Sequence, residues 1–325
     1  MLIQKDETVY MPRSNIILVG AYSPQQRERL ETRFTTCSVD TPQQLMRLAS
    51  DERKACAAVA CHGHSPFGAA EMDALPSLRL IANFGVGYDD IDIDAATSRG
   101  ITVTNTPNVL NDDVADLAVG MYLALKRRLI AGDRWVRSGD WARIGSFPLN
   151  AHTSGLRVGI LGMGRIGKEI ADRMVAFKTT VHYQSRQAKQ VPSDWVYHAD
   201  AIDLARSVDV LFVTIVGGDE TRHFVSAEVL SALPSDAVVI NVSRGTVIDE
   251  DALIQRLQGG FLAGAALDVF ATEPHVDPRL CDQENVLLQP HQGSGTINTR
   301  ESMGDLQYAN ILAFTEGNEL ITPVN

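Results

Sequence analysis

The sequence predicts an α/β protein in which helices alternate with parallel strands, and three observations support this. Short apolar runs such as Val208–Val216 and Ala237–Ser243 have the length of buried strands. Segments with helical spacing separate these runs along the chain. A glycine-rich turn joins an apolar run at 158–161 to a helix-like segment, Arg165–Lys178. Such alternation is typical of doubly wound parallel sheets.

Length and charge narrow the classes of protein. The 325 residues are enough for two domains, each with its own core. The net charge of −11 argues against nucleic acid as a partner, and it means that anionic ligands need locally basic pockets. No apolar run reaches the length of a signal sequence or a membrane span, so we expect no membrane partner. The polar segment Met1–Arg13 predicts a loose leader.

The cysteines indicate the redox compartment. Cys37, Cys56, Cys61 and Cys281 form no C-x-x-C pair, and we interpret them as reduced, buried thiols. Reduced thiols are typical of the cytosol, so a cytoplasmic location is expected.

The glycine-rich turn has the pattern G-x-G-x-x-G, formed by Gly162, Gly164 and Gly167. In this pattern the first glycine allows the tight turn, the second lets the backbone approach a pyrophosphate, and the third packs helix on strand. An ordinary glycine-rich turn is the alternative. A second strand, Thr180–Ser185, closes the βαβ unit, and this context favours a Rossmann-type dinucleotide site.

The end of that second strand bears on the choice of dinucleotide. An NAD site usually has a carboxylate there, for the ribose hydroxyls. This chain has Ser185 and Arg186 instead, which could donate to and pair with a 2′-phosphate. We therefore expect NADPH. NADH remains the alternative, with Arg186 as a solvated surface residue.

Charged side chains follow several predicted strands. Arg244, Asp268, Glu273 and His291 each lie at or just beyond the end of a strand. Ligands of open parallel sheets bind at the carboxyl ends of the strands. A surface ion pair or a buried histidine would explain each residue alone, but their shared placement favours a functional site.

Two further segments leave alternatives open. Gly85-Val86-Gly87 follows a strand and could bind an anion such as a carboxylate through its N–H groups, or could simply be a tight turn. Cys61-His62-Gly63-His64 could suggest a metal, but a strand end entering a loop explains it better because no second ligand cluster exists. The sequence thus predicts no metal site.

Six motifs in order resemble those of the D-isomer-specific 2-hydroxyacid dehydrogenases, over nearly the whole chain. They are N-F-G-V-G-Y-D-D-I-D (83–92), N-T-P-N-V-L-N-D-D-V-A-D-L-A (105–118), L-G-M-G-R-I-G (161–167), N-V-S-R-G-T-V-I-D-E (241–250), A-L-D-V-F-A-T-E-P (266–274) and P-H-Q-G-S-G-T (290–296). The Ser-Arg pair and the loop G-D-W…F-P-L-N look most like NADPH-dependent hydroxypyruvate and glyoxylate reductases.

The resemblance implies roles in reducing a 2-keto acid. Arg244 would bind substrate carboxylate and carbonyl, and His291 would donate the proton as alkoxide develops. Glu273 would orient His291 and favour its charged imidazolium. Val86 and Gly87 would hold the substrate carboxylate through their N–H groups.

The resemblance also implies cofactor contacts. Gly162, Gly164 and Gly167 would cradle the pyrophosphate, with Arg165 and Ile166 at the helix start. Thr221 would reach the nicotinamide-side phosphate or ribose, and Asp268 would hold the nicotinamide. Ser185 and Arg186 complete this set.

A discontinuous domain arrangement follows from the resemblance as well. Residues 1–114 and 296–325 would form a smaller, flavodoxin-like substrate domain, and residues 115–295 a Rossmann-type cofactor domain. Members of the family commonly form homodimers through the region that corresponds to residues 112–150. Trp141 or Phe147 would then reach towards the partner's site, although burial in their own chain is the commoner fate of such loop aromatics.

Other functions on the same architecture remain as alternatives. Formate, phosphite and D-lactate dehydrogenases usually prefer NAD, which Ser185-Arg186 disfavours, and an aromatic keto acid is a further possible substrate. Phosphoglycerate dehydrogenases with a regulatory extension fit less well, because the chain stops soon after the helix that follows His291. An NAD(P)-sensing regulator related to transcriptional corepressors, or a structural subunit, would have no use for Arg244, Glu273 and His291 together.

Overall fold

The computed structural model describes residues 15–325. The predicted leader, 1–13, lies outside these residues. The chain divides into two compact units. Within the described residues, unit 1 comprises 15–107 and 301–325, and unit 2 comprises 108–300. The sequence had placed the two divisions at 114 and 295.

Unit 1 is an α/β unit with one parallel sheet. Its elements are β1 (Asn15–Val19), α1 (Pro24–Arg33), β2 (Thr35–Val39), a 3₁₀ turn (Pro42–Arg47), α2 (Ser50–Ala55), β3 (Ala58–Cys61), α3 (Ala69–Asp73), β4 (Leu80–Asn83), α4 (Ile93–Ser98) and β5 (Thr102–Thr104). The strand order β2-β1-β3-β4-β5 is that of flavodoxin-like sheets, as predicted.

Local sequence explains how unit 1 begins and closes. Ser23 caps α1, accepting from Gln26 N at 3.2 Å, and Pro24 occupies the first helical position. The central strands β3 and β4 are fully buried, so their apolar runs are continuous. Residues after 300 complete the core: Ile311 is buried in it, and the Gln307 amide donates to Ala82 O at 2.7 Å.

Unit 2 contains the larger sheet. Its elements are α5 (Asn111–Lys126), α6 (Leu129–Arg137), α7 (Asp140–Arg143), β6 (Arg157–Leu161), α8 (Arg165–Val175), β7 (Thr180–Gln184), β8 (Val196–His198), α9 (Ala201–Arg206), β9 (Val210–Val213), α10 (Ala227–Ala232), β10 (Val238–Asn241), α11 (Glu250–Gln258), β11 (Gly264–Leu267), α12 (Pro278–Cys281) and β12 (Val286–Leu288). The last helix, α13 (Ile297–Glu316), begins in unit 2 and ends in unit 1.

The sheet of unit 2 confirms the Rossmann-type prediction. Its strands are parallel, in the order β12-β11-β10-β9-β6-β7-β8. Counted from β6, this is the doubly wound order 3-2-1-4-5-6 with one further strand. The chain direction of the crossovers reverses between β6 and β9, so the ligand crevice is expected at the carboxyl ends of these two strands.

Two local expectations were wrong. The helical spacing of apolar residues from Val114 to Leu129 predicts one helix, but α5 ends at Lys126 and Arg128 adopts a left-handed φ of 48° before α6 begins. The segment after Arg137, expected to be a loop, contains the short helix α7.

Two of the four cysteines differ from the expectation of buried thiols. Cys56 and Cys61 are buried free thiols, and burial raises the pKa of each to about 12. Cys37 is only partly buried and Cys281, in α12, is exposed. Among residues 15–325, no helix is long and apolar enough to cross a membrane.

Candidate active site

The glycine-rich turn lies between β6 and α8, at the predicted crevice. Gly162 has φ +104°, and a Cβ there would lie 2.7 Å from Ile215 N. A Cβ at Gly167 would lie 2.4 Å from Gly162 O, so only glycine lets the helix approach the turn. At Gly164 a Cβ would meet nothing within 4 Å. The turn therefore packs tightly against the protein at Gly162 and Gly167 but leaves space at Gly164, before the start of α8. A pyrophosphate could occupy that space.

The helix start carries the predicted Arg165 and Ile166. Arg165 is the first residue of α8, and its Nη1 donates to Asn108 Oδ1 at 2.8 Å. Ile166 is half-buried beside it. Thr214, the residue after β9, fixes the turn because its hydroxyl donates to Gly162 O at 2.8 Å. The glycine loop is thus held by neighbours on the other strand of the crevice.

The loop after β7 holds Ser185 and Arg186. Ser185 is buried, and its hydroxyl donates to Gln187 O at 2.6 Å, whereas Arg186 is exposed. Tyr183 anchors the far end of the loop, accepting from Lys189 N at 3.1 Å. Lys189 adds a second exposed cation three residues after Arg186, and the sequence analysis missed it.

Thr221 and Asp268 already make contacts within unit 2. The Thr221 hydroxyl donates to Val216 O at 2.7 Å. Asp268, which is 1% exposed, accepts from Gln292 N at 2.6 Å and from Gly293 N at 2.8 Å. Burial raises the pKa of Asp268, and these two N–H groups oppose that shift. The predicted contacts of both residues with a cofactor stay predictions.

His291 and Glu273 form a close pair. His291 Nδ1 lies 2.7 Å from Glu273 Oε2, and the two side chains are 28% and 23% exposed. Glu273 Oε1 accepts from Phe270 N at 2.9 Å. The His291 backbone has a left-handed φ of 52°, and its N–H donates to Asp268 O at 2.8 Å. The loops after β11 and β12 therefore present an imidazole already oriented by a carboxylate.

Arg244 follows β10, the strand beside β11, and is half-buried. Its Nη1 donates to Ser243 O at 2.8 Å. Asn241, 1% exposed, donates from Nδ2 to Arg244 O at 3.0 Å and accepts from Ser243 N through Oδ1 at 3.0 Å. A buried amide thus fixes the turn that carries the guanidinium.

A cavity of about 380 Å³ borders the His291–Glu273 pair. Its walls include Phe270, Glu273, Pro274, Leu288 and His291. A larger cavity, of about 600 Å³, lies at the amino ends of the unit 2 strands. The chemistry of the charged residues, rather than cavity size, identifies the carboxyl edge as the candidate site.

In unit 1, the loop that holds Val86 and Gly87 is fixed through its carbonyl oxygens. Asn83 donates from Nδ2 to Gly87 O at 2.9 Å, and Asn105 donates to Val86 O at 2.9 Å. Both asparagines are buried, and the sequence analysis did not single them out. Carboxylate binding by the Val86 and Gly87 N–H groups stays a prediction.

Metal-ligating side chains are not clustered in the part of the chain that the structure describes, where no group of three or more His, Cys, Asp or Glu could hold an ion. His62 of the C-H-G-H segment instead packs against Phe84, with ring centroids 4.5 Å apart.

Comparison with known proteins decides the family. The model of the D-isomer specific 2-hydroxyacid dehydrogenase NAD binding domain matches residues 119–293. The chain belongs to this dehydrogenase family. As a D-2-hydroxyacid dehydrogenase it is an oxidoreductase of 2-keto and 2-hydroxy acids with an NAD(P)-binding domain, which confirms the resemblance predicted from the six motifs.

Relatives of this dehydrogenase match nearly its whole length. It is 42% identical to glyoxylate/hydroxypyruvate reductase A of Arabidopsis thaliana, over 97% of this chain and 100% of that protein. It is 39% identical to hydroxyphenylpyruvate reductase of Plectranthus scutellarioides, over 97% and 100%. The crystal structure of NADPH-dependent glyoxylate/hydroxypyruvate reductase from Sinorhizobium meliloti, in complex with NADP and malonate, superposes with a TM-score of 0.92 at 40% identity, covering 96% of this chain and 97% of that one.

Proposed function

We propose that this dehydrogenase reduces a small 2-keto acid to the D-2-hydroxy acid with NADPH. The observation that carries the proposal is the His291–Glu273 pair, 2.7 Å apart, at the carboxyl edge of the sheet that holds the glycine loop. An imidazole held by a carboxylate is the usual arrangement for donating a proton to a developing alkoxide. A protein that only sensed the dinucleotide would gain nothing from this pair.

The roles of the charged residues follow from their chemistry. Glu273 binds His291 at Nδ1, which fixes the orientation of the ring. The proton is then delivered to the carbonyl oxygen from Nε2. Arg244 binds the carboxylate and the carbonyl oxygen with its planar set of donors. NADPH, when bound, supplies the hydride, and the protein supplies orientation and charge.

Substrate binding is proposed to involve Val86 and Gly87. Their N–H groups would hold the carboxylate that every 2-keto acid carries. Hydroxypyruvate and glyoxylate are favoured, since relatives over nearly the whole chain are named for these acids. A larger keto acid is the second candidate, because hydroxyphenylpyruvate reductase and the 2-ketogluconate reductase of Gluconobacter oxydans are 39% and 37% identical to this chain.

NADPH rather than NADH is proposed from the loop after β7. Arg186 is exposed there and can pair with a 2′-phosphate, and Lys189 adds a second cation. The Ser185 hydroxyl donates within the loop, so its contribution is to hold the backbone of Arg186 in place. The Sinorhizobium relative, crystallised with NADP, supports the same choice.

A homodimer formed through residues 112–150 is also proposed. Several large apolar side chains of this segment are exposed in one chain, namely Leu129 (54%), Ile130 (50%), Val136 (56%), Trp141 (62%), Ile144 (59%) and Leu149 (99%). Such a concentration is typical of a subunit interface. Phe147 packs in its own chain against Trp135, with centroids 5.7 Å apart, so Trp141 is the aromatic residue available to a partner.

The assay that tests the function follows NADPH absorbance with hydroxypyruvate, glyoxylate, pyruvate and an aromatic keto acid. Turnover with the first two in preference to the others is expected. Tight NADPH binding without turnover of any keto acid would contradict the proposal and favour a regulator. Light scattering of the purified protein tests the dimer.

A further inference from the structure

The loop that carries Glu273 has an unusual backbone arrangement just before it. Two successive N–H groups, those of Phe270 and Ala271, each donate to a carboxylate. Phe270 N donates to Glu273 Oε1 at 2.9 Å, within the loop itself. Ala271 N donates to Glu250 Oε2 at 3.2 Å. Glu250 belongs to a different element, the first turn of α11, and is 23 residues before Glu273 in the chain.

The same two peptides pack directly on the segment after Arg244. A Cβ added at Gly245 would lie 1.8 Å from the carbonyl carbon of Phe270 and 2.3 Å from Ala271 N. No side chain fits there, so the backbone that follows Arg244 and the backbone that precedes Glu273 are in van der Waals contact. Glu250 adds a hydrogen bond between these two segments. The Arg244 turn and the Glu273 loop are therefore held as one unit.

Glu250 is less exposed to solvent than most carboxylates at the start of a helix, and this burial disfavours its charged form. It is half-buried, and burial raises its pKa; neighbouring Asp277 and Asp251 raise it further, whereas the Ala271 N–H and Arg279 lower it. It faces a polar cavity of about 490 Å³ that also contains Arg222, His223, Asp249 and His275. An exposed carboxylate in the first turn of α11 would be enough to stabilise the start of that helix, so this role does not explain the burial. The burial of Glu250 indicates a role at its hydrogen-bond partner.

We propose that Glu250 is a positioning residue for the Glu273–His291 pair, acting through the Ala271 amide. This inference rests on the proposed function, in which that pair delivers the proton. Glu250 acts on the backbone and not on His291 or the substrate. It binds Ala271 N, next to the Phe270 N–H group that binds the Glu273 side chain. Without this acceptor, the loop is free to shift, and the carboxylate loses its alignment with Nδ1.

The test compares Glu250→Ala, Glu250→Gln and the wild type in the NADPH assay. Glu250→Ala should lower kcat by about tenfold or more, because a small displacement of a catalytic group greatly reduces the rate. KM and NADPH affinity should change by less than about threefold. Glu250→Gln keeps an oxygen acceptor for Ala271 N and should stay within about threefold of wild type. Asp251→Ala is the matched control: it removes the next carboxylate of α11, whose partner is Arg279, and should keep wild-type kcat.

The split between kcat and KM, together with rescue by the Gln variant, separates positioning from a loss of stability. Thermal melting is measured on each variant, and rates are taken well below its Tm. Equal kcat losses in the Ala and Gln variants, a rise in KM as large as the loss in kcat, or wild-type kcat in Glu250→Ala would each overturn the inference. Absence of turnover in the wild type would instead overturn the proposed function and the inference with it.

Discussion

The carboxyl edges of the two sheets differ in the kind of group that they present. In unit 1, the loop after β4 is fixed by the neutral amides of Asn83 and Asn105. In unit 2, the loops after β10, β11 and β12 carry Arg244, Glu273 and His291. Both sheets are parallel and doubly wound, so topology does not distinguish them. The difference indicates that the first edge is suited to binding and the second to chemistry.

The largest test of this comparison is His291→Ala. Loss of the proposed proton donor should lower kcat by about 10²–10⁴-fold while NADPH affinity stays within about threefold, because such a group acts in the transition state. Steady-state kinetics and NADPH fluorescence titration measure the two effects. His275→Ala removes an exposed histidine of the neighbouring loop and should keep wild-type kcat. Wild-type turnover in His291→Ala would assign the donor elsewhere.

At the unit 1 edge, Asn83→Ala should have a different kinetic effect. Removing the amide releases the carbonyl oxygens of Gly85 and Gly87, so the N–H groups proposed to bind the substrate carboxylate are less well placed. We expect KM for the keto acid to rise about tenfold, with kcat within about threefold of wild type. Asn285→Ala, at the amino edge of the unit 2 sheet, serves as the control. A fall in kcat at unchanged KM would break the distinction between a binding edge and a chemical edge.

Within unit 2, Arg186→Glu should affect only the choice of cofactor. A carboxylate at the end of β7 repels a 2′-phosphate and accepts from ribose hydroxyls, so the kcat/KM ratio of NADPH to NADH should fall by about tenfold or more. The kcat at saturating cofactor should stay close to wild type. If the ratio is unchanged, Lys189 becomes the residue to replace next.

The smallest expected effect concerns the outer strands of the same sheet. His182 Nδ1 lies 3.0 Å from His198 Nε2, and burial together with His198 lowers the pKa of His182 below its usual 6.5. The unfolded chain then binds more protons than the folded one below about pH 6.5, so stability falls as the pH falls through that range. Between about pH 7.5 and pH 5.5, the wild-type Tm should drop by roughly 2 °C more than that of His182→Gln. Equal drops would show that the pair does not contribute.

The sequence predicted the central parts of both sheets because buried parallel strands are continuous apolar runs. It missed the edge strands β2 and β8, whose side chains are largely exposed and carry no such run. It also extended α5 through Leu129, because apolar spacing continues across the left-handed Arg128. A change of backbone direction leaves no mark on the hydrophobic pattern when the residue is not glycine.

The charged residues of the candidate site could be named from their places at strand ends, and their roles from the family resemblance. The groups that support them could not. Asn241, Asn83 and Glu250 act on backbone atoms that only the folded chain brings near, and asparagine or glutamate at such positions is equally common on a surface. Lys189 carried a signal, since it is a cation three residues from Arg186 in the same loop.

The division of unit 1 along the chain has a consequence for biosynthesis. Residues 108–300 are contiguous, so unit 2 can fold as soon as it has left the ribosome. Unit 1 lacks Ile311, which fills its core, and Gln307, which bonds to β4, until the residues after 300 have been made. The strands of unit 1 are therefore synthesised before unit 2, but the core that they belong to is completed only after it.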